Sequence, residues 1–123
     1  MSVKILVVDD SQTARKIVTD QLTKIGMDVI EAEDGNDGLK KLEENPGIQL
    51  IFSDINMPWM NGLEMVEKIK ELDAYKSLPI CMLTTESAVD SLEKAKELGV
   101  NAFLVKPVKG AQLMAVVKNL TGS

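Results

Sequence analysis

Gln49 to Gly62 reads QLIFSDINMPWMNG, and the fold turns on this stretch. Leu50, Ile51 and Phe52 form a short unbroken apolar run, the pattern of a strand buried on both faces in a parallel sheet. Asp54 stands where that strand should end. Pro58 and the pair Asn61-Gly62 mark a loop, and a helical period opens at Leu63. A carboxylate at the exit of a buried strand lies where open α/β sheets bind their ligands. By itself Asp54 could be a polar lead-in to the loop; the other acids of the chain decide against that.

The same rhythm runs outward in both directions. Ile5 to Val8 is a first strand closed by Asp9-Asp10. Ser11 then N-caps a helix with Ala14, Ile17, Val18, Leu22 and Ile25 on its apolar face, and Gly26 stops it. Asp28 to Ala32 is a short strand expected at a sheet edge. Asp34-Gly35 turns the chain into a helix from Asn36 to Glu44, with Leu39 and Leu42 inward and Pro46-Gly47 closing it. Beyond the central stretch, Leu63, Val66, Ile69 and Leu72 share one helix face. Pro79 precedes a strand from Ile80 to Leu83 that ends in Thr84-Thr85. Val89, Leu92, Ala95 and Leu98 line a fourth helix ended by Gly99. Ala102 to Val105 is a fifth strand followed by Lys106-Pro107, and a last helix turns Leu113, Val116, Val117 and Leu120 inward. Five strand–helix units with short linkers predict one doubly wound α/β domain over residues 1–123, its parallel sheet covered on both faces.

The 123 residues leave room for one core and no second domain. Fourteen basic against 19 acidic residues give a net charge of −5, opposite to the basic stripe that nucleic-acid binding needs. No apolar run approaches the length of a membrane span, and Lys4 interrupts the short N-terminal run that could pass for a signal peptide. Cys81, the single cysteine, sits in Ile80-Cys81-Met82-Leu83 as a small buried hydrophobe. A reducing, cytoplasmic setting is the expectation. Neither nucleic acid nor membrane is expected among the partners.

The polar residues at the strand exits gather in the same place. Asp9-Asp10, Asp54, Thr84 and Lys106 all lie at carboxyl ends, hence on one edge of a parallel sheet. With the flavodoxin-like strand order 2-1-3-4-5, which comes from the fold class and not from these residues, strands one and three are neighbours about 4.8 Å apart. Asp10 then stands beside Asp54, and Lys106 is two strands away, about 10 Å. To reach Asp54 the lysine must bend back over the edge. A cis Lys106-Pro107 bond makes such a turn at a cost of about 0.5–1 kcal/mol. Singly, the acids could favour a helix N-terminus, Thr84 could cap a helix and Lys106 could be a surface charge. Together they describe a site. Clustered carboxylates repel and raise one another's pKa. A hard divalent cation with oxygen ligands, of which magnesium suits few carboxylates and several waters, relieves that. Cation, lysine and hydroxyl around a carboxylate put positive charge where phosphoryl oxygens accumulate negative charge.

With these residues in place, the chain resembles response-regulator receiver domains, and among them the CheY-type chemotaxis regulators. The likeness runs through Val8-Asp9-Asp10, Asp54-Ile55-Asn56-Met57-Pro58, Asn61-Gly62, Leu83-Thr84 and Val105-Lys106-Pro107, and so covers nearly the whole chain. It implies that Asp54 accepts a phosphoryl group from a phosphohistidine on a CheA-like sensor histidine kinase. It also implies Mg2+ held by Asp10, Asp54 and the backbone carbonyl of Asn56, with Asp9 assisting through water. Lys106 would pair with the carboxylate or phosphoryl, Thr84 would turn inward to the phosphoryl, and Phe103 would follow Thr84. Many chemotaxis members carry tyrosine at that last position, so any hydroxyl-mediated contact is lost here. Asn56 and Glu86 match positions that tune phosphoryl lifetime, or are simply loop polar residues. Trp59, between Met57 and Met60, is either a partner contact or packing over the edge of the site. The output partner would be a protein such as a flagellar motor switch component. The chain ends with its fifth helix, so no attached output domain is expected, although a receiver cut from a longer regulator would read alike.

Two other functions compete. An aspartate-nucleophile phosphatase of the haloacid-dehalogenase type also forms an acyl phosphate, but it needs a general acid/base two residues after the nucleophile. Asn56 occupies that position and cannot serve, and no cap region is present. Flavodoxin-like flavin binding fails at the first loop, where two aspartates stand in place of phosphate donors. The expectation is a phosphoacceptor switch, with self-catalysed phosphotransfer and autodephosphorylation, and not an enzyme turning over an external substrate.

Overall fold

Strand-forming runs that are apolar at every position need cover on both faces, and the chain supplies it. The computed structural model describes residues 3–85 and 90–122. In chain order the elements are β1 (Lys4–Val8), α1 (Gln12–Lys24), β2 (Asp28–Ala32), α2 (Gly35–Glu44), β3 (Ile48–Asp54), α3 (Gly62–Glu71), β4 (Ile80–Thr84), α4 (Asp90–Glu97), β5 (Ala102–Val105) and α5 (Gly110–Thr121). All strand pairs are parallel, in the order β2-β1-β3-β4-β5, as the fold class predicts. β2 is indeed an edge. Among the described residues no helix is long and apolar enough to cross a membrane.

Side chains alternate across each strand with period two, and the alternation sorts the core into two clusters. Ile5, Val7, Leu50, Phe52, Cys81 and Leu83 face α1 and α5, packing on Val18, Leu22, Leu113 and Val117. Leu6, Val8, Ile51, Ile80 and Met82 face the opposite way, onto Leu42, Met65, Val66, Ile69 and Ala95 of α2, α3 and α4. The three central strands are therefore apolar on both sides. Burial pushes the Cys81 thiol up to about 12, so it packs as a hydrophobe and stays protonated at neutral pH.

Helix starts follow local chemistry. Ser11 Oγ accepts from the amide of Ala14 and Asp34 Oδ1 from that of Asp37, caps worth about 1 kcal/mol each. Asn61 and Glu64 form a reciprocal capping box on α3. Gly26 and Gly99 lie just past their helices with φ of +86° and +88°, where a Cβ would be strained. Gly35 is not part of a turn, as the sequence suggests, but the first residue of α2.

Two expected core positions are exposed. Ile17 is 50% accessible, because the buried stripe of α1 centres on Val18 and Leu22. Ile17 lies at its margin, on a shallow groove shared with Pro107 and Val108. Leu72 is 46% accessible. It is the C-cap of α3, with extended backbone at ψ 116°, so it has left the helical period. Met65, not among the expected core positions, is fully buried. Its sulfur lies against Gly38 of α2, where a Cβ would push it aside. The expected helix position Val89 lies outside the described residues.

Candidate functional site

Register brings the acids together. Val8 pairs with Ser53 across β1 and β3, so Asp9, one residue on, comes level with Asp54. Oxygen atoms of Asp9, Asp10 and Asp54 all lie within 4.8 Å of one another. Their surroundings differ. Asp9 is fully buried, Asp54 nearly so, and Asp10 is exposed. Asp9 Oδ1 accepts from the Ser11 amide at 2.9 Å and Oδ2 from the Lys106 ammonium at 3.0 Å. Its own amide donates to Ala32 O and its carbonyl accepts from Arg15 Nη1 at 2.7 Å. Asp9 is thus held on four sides. No hydrogen bond holds the Asp10 carboxylate among the described residues.

Lys106 leaves β5 with its amide on Thr84 O, and the Lys106-Pro107 bond is cis, as expected. The ammonium reaches across two strands to sit 3.0 Å from Asp9 Oδ2 and 3.4 Å from Asp54 Oδ2. Burial by itself would lower the pKa of Lys106, but the hydrogen bond to Asp9 and the charges of Asp54 and Asp9 outweigh it and hold the group above its ordinary value. For Asp54 burial is the stronger influence. It raises the carboxyl above 3.8, with the Asp9 charge acting the same way, and the nearby lysine only partly offsets this. Asp54 is a poorly solvated carboxylate with one cation beside it and two acids around it.

Thr84 is buried, and its hydroxyl donates to the carbonyl of Thr85 at 3.1 Å. Phe103, opposite Met82 in β5, is half-buried against the cluster that includes Leu92 and Ala95 of α4. Asn56 is exposed at the rim. Glu86, matched to a lifetime-tuning position, lies outside the described residues.

The loop after Asp54 is anchored by buried Ile55 and Met57. Between them and α3, the Met60 amide donates to Pro58 O at 2.7 Å with Trp59 at φ +67°. That is the strained form of γ-turn, in a conformation that bulky residues rarely adopt. It throws the indole outward to 87% exposure, so Trp59 does not pack over the site. Met60 instead seats the loop on the backbone of Gly35.

Two residues that touch the site escape a reading of the sequence. Arg15 lies in the first turn of α1, where the helix dipole disfavours a cation by about 0.3–1 kcal/mol. It bridges Glu31 Oε1 at 2.9 Å and the Asp9 carbonyl. Its misplacement was the available signal. Gly62 carries no such signal beyond the turn pair Asn61-Gly62; its importance lies in how closely its backbone approaches Asp54.

Comparison with known proteins agrees with this geometry. The response regulator receiver domain family matches residues 5–118. A "Chemotaxis protein CheY homolog" of Campylobacter jejuni is 40% identical over 121 residues, 98% of this chain and 93% of that protein. "Chemotaxis protein CheY1" of Helicobacter pylori is 43% identical over 105 residues, 85% of each chain. The solved chemotaxis protein CheY4 of Vibrio cholerae superposes with a TM-score of 0.90 at 35% identity, covering 98% of this chain and 99% of its own. A response regulator structure from Chloroflexus aurantiacus gives a TM-score of 0.93 at 26% identity over the whole of both chains. With its five-stranded parallel sheet, its acids on one edge and these relatives spanning nearly its full length, the chain belongs to the response regulator receiver domain family, on the side of the CheY-type chemotaxis regulators.

Proposed function

We propose that the protein is a phosphorelay switch in which Asp54 accepts a phosphoryl group from the phosphohistidine of a CheA-like sensor kinase. The observation that carries this reading is the Lys106 ammonium set between Asp9 and Asp54 beside the open Asp10 carboxylate. An Asp54 carboxylate oxygen attacks phosphorus, the P–N bond breaks as the O–P bond forms, and the imidazole nitrogen leaves with the bonding pair. Lys106 faces the Asp54 oxygens and the charge that builds there. The test is intact-mass measurement after incubation with magnesium and acetyl phosphate. A single phosphoryl increment, mapped to Asp54, is expected; no uptake, or uptake elsewhere, overturns the reading.

The donor set fits Mg2+, since three hard carboxylates converge and one stays solvent-facing. Asp10, Asp54 and the Asn56 carbonyl would hold the ion, with Asp9, already engaged by Ser11 and Lys106, assisting through water. When bound, it neutralises negative charge on the transferring phosphoryl oxygens. Calorimetric titration of Asp10→Ala with magnesium chloride is expected to show no measurable binding. Affinity equal to wild type would exclude this ligand set.

Phosphorylation adds charge and strong acceptor oxygens at the sheet edge. Thr84, at the end of β4, is the neutral donor assigned to them; to reach them its hydroxyl must give up the Thr85 carbonyl by a rotamer change. Phe103 then fills the vacated space, altering the face made by α4, β5 and α5, where an output protein such as a flagellar motor switch component binds one state better. Differential affinity is what shifts such an equilibrium. Thr84→Ala and Phe103→Ala are expected to take up phosphoryl at Asp54 while losing most of the phosphorylation-dependent gain in partner affinity. A wild-type gain in both variants would place the signal on another face. We assign the working environment to the cytoplasm, where the kinase and motor partners of such switches operate. Asn56 offers no acid/base group for turnover of external phosphomonoesters, so self-catalysed transfer and autodephosphorylation are the chemistry assigned to the site.

A further inference from the structure

Asp10 presents a contradiction. It is the solvent-facing acid of the cluster, yet among the described residues no hydrogen bond orients its carboxylate. Its placement is left to the backbone, and the backbone entering Asp10 is the Asp9–Asp10 peptide. The carbonyl of that peptide is the group that Arg15 Nη1 grips at 2.7 Å. The guanidinium is in turn fixed by Glu31 at the end of β2, with Nε on Oε1 at 2.9 Å. The arginine is largely buried, at 15% side-chain exposure. Planar and forked, it binds carboxylate and carbonyl at once, which a lysine cannot do with the same geometry.

We propose that Arg15 is a positioning residue for the acid cluster, holding the Asp9 carbonyl so that the peptide beyond it aims Asp10 at Asp54. The inference rests on the reading that the cluster binds a divalent cation. Electrostatics alone gives the opposite sign: deleting a positive charge beside three carboxylates should tighten cation binding. Positioning requires that it weaken. Residues that orient metal ligands from behind typically change affinity by about 10–100-fold when removed.

The experiment compares wild type with Arg15→Ala, Arg15→Lys and Glu31→Gln, and with Lys16→Ala as a control. Lys16 is the next residue on α1, 73% exposed and paired only with Asp20 among the described residues. Magnesium chloride is titrated by calorimetry, and amide hydrogen exchange is measured without metal. The Ser11 amide, bonded to Asp9 Oδ1, reports the loop directly. Arg15→Ala is expected to bind magnesium about tenfold more weakly and to exchange the Ser11 amide faster. Arg15→Lys and Glu31→Gln should fall between it and wild type, with Lys16→Ala unchanged or slightly tighter. Unchanged or tighter binding in Arg15→Ala, or full Ser11 protection, overturns the proposal. If Arg15→Ala fails to fold, Arg15→Lys and Glu31→Gln carry the same comparison. A wild type that binds no magnesium defeats the functional reading on its own account, and the metal-free exchange at Ser11 then decides the role of Arg15.

Discussion

Asp54→Asn is expected to abolish phosphoryl uptake entirely and, in the same molecule, to make the metal-free protein more stable at neutral pH. The first effect follows from the loss of the attacking carboxylate; an amide oxygen is a far weaker nucleophile and cannot form a stable acyl phosphate. The second follows from the environment of the side chain. Burial chiefly, and the Asp9 charge in addition, hold the folded-state pKa of Asp54 above 3.8 despite the lysine at 3.4 Å. The native state therefore keeps the proton more tightly than the unfolded chain does. Stability from this group is greatest below about pH 3.8 and is lost as pH rises through the folded value. Asparagine is never charged and escapes that loss, while Lys106 retains its bond to Asp9. Thermal melts of the two proteins should separate at pH 7, with the variant higher, and converge toward the acid end of that window. A variant less stable at neutral pH would mean that the lysine pair outweighs burial.

Gly62→Ala is expected to be among the most damaging single-methyl additions in the chain. A Cβ there would fall well inside contact distance of the Asp54 carbonyl oxygen, 3.1 Å from its carbon and 2.8 Å from Met82 Cε. The methionine tip can move; the strand backbone cannot without displacing the acceptor. That carbonyl also accepts the buried Ser53 hydroxyl, and the Gly62 amide is bonded to Ile55 O at 2.8 Å. Overpacking of this kind costs about 1–3 kcal/mol and sometimes more. Because the shifted atoms belong to Asp54, phosphorylation should slow as well. Gly26→Ala supplies the scale. Nothing lies within 4 Å of a Cβ there, and only its φ of +86° opposes it, a cost of about 1–2 kcal/mol. Urea titrations should place Gly62→Ala below Gly26→Ala, with only the former impaired in uptake. Equal stability and full uptake would show that the β3–α3 junction yields more readily than its packing implies.

Much of this arrangement could be read from residues alone, because the governing signals are local. Apolar runs bounded by turn residues locate the strands, and acids, threonine and lysine immediately after them must share an edge once the sheet is parallel. What escaped depends on contacts between elements. Periodicity puts Ile17 and Leu72 on apolar faces but cannot say that one face ends at Val18 or that α3 stops before Leu72. Met65 reaches the core because Gly38 lets two helices approach, a fact about a pair of positions that neither reveals singly. Arg15 takes its role from Glu31, 16 residues away in the chain, which β2 brings beside it. Trp59 left two readings open because an indole suits either. A backbone φ of +67° with the indole 87% exposed rules out packing over the site, and no residue-type preference would have foretold it.

The alternation of side chains across the sheet has a consequence for how a signal can travel. β3 is a partition: Phe52 belongs to the compartment of α1 and α5, Ile51 to that of α2, α3 and α4. Phe103 borders the second compartment, alongside Leu92 and Ala95, whereas Arg15 and Ile17 ride on the helix that closes the first. Among the described residues Phe103 shares a core cluster with Leu92 and Ala95 of α4 and none with α1. α5 lies in the first compartment, where Ala102 and Leu104, the neighbours of Phe103 in β5, pack beside Leu113 and Val117. If Phe103 repacks as proposed, the change enters α4 through the core cluster the two share, while α1 meets the site from the other side, through the acid loop that Arg15 holds.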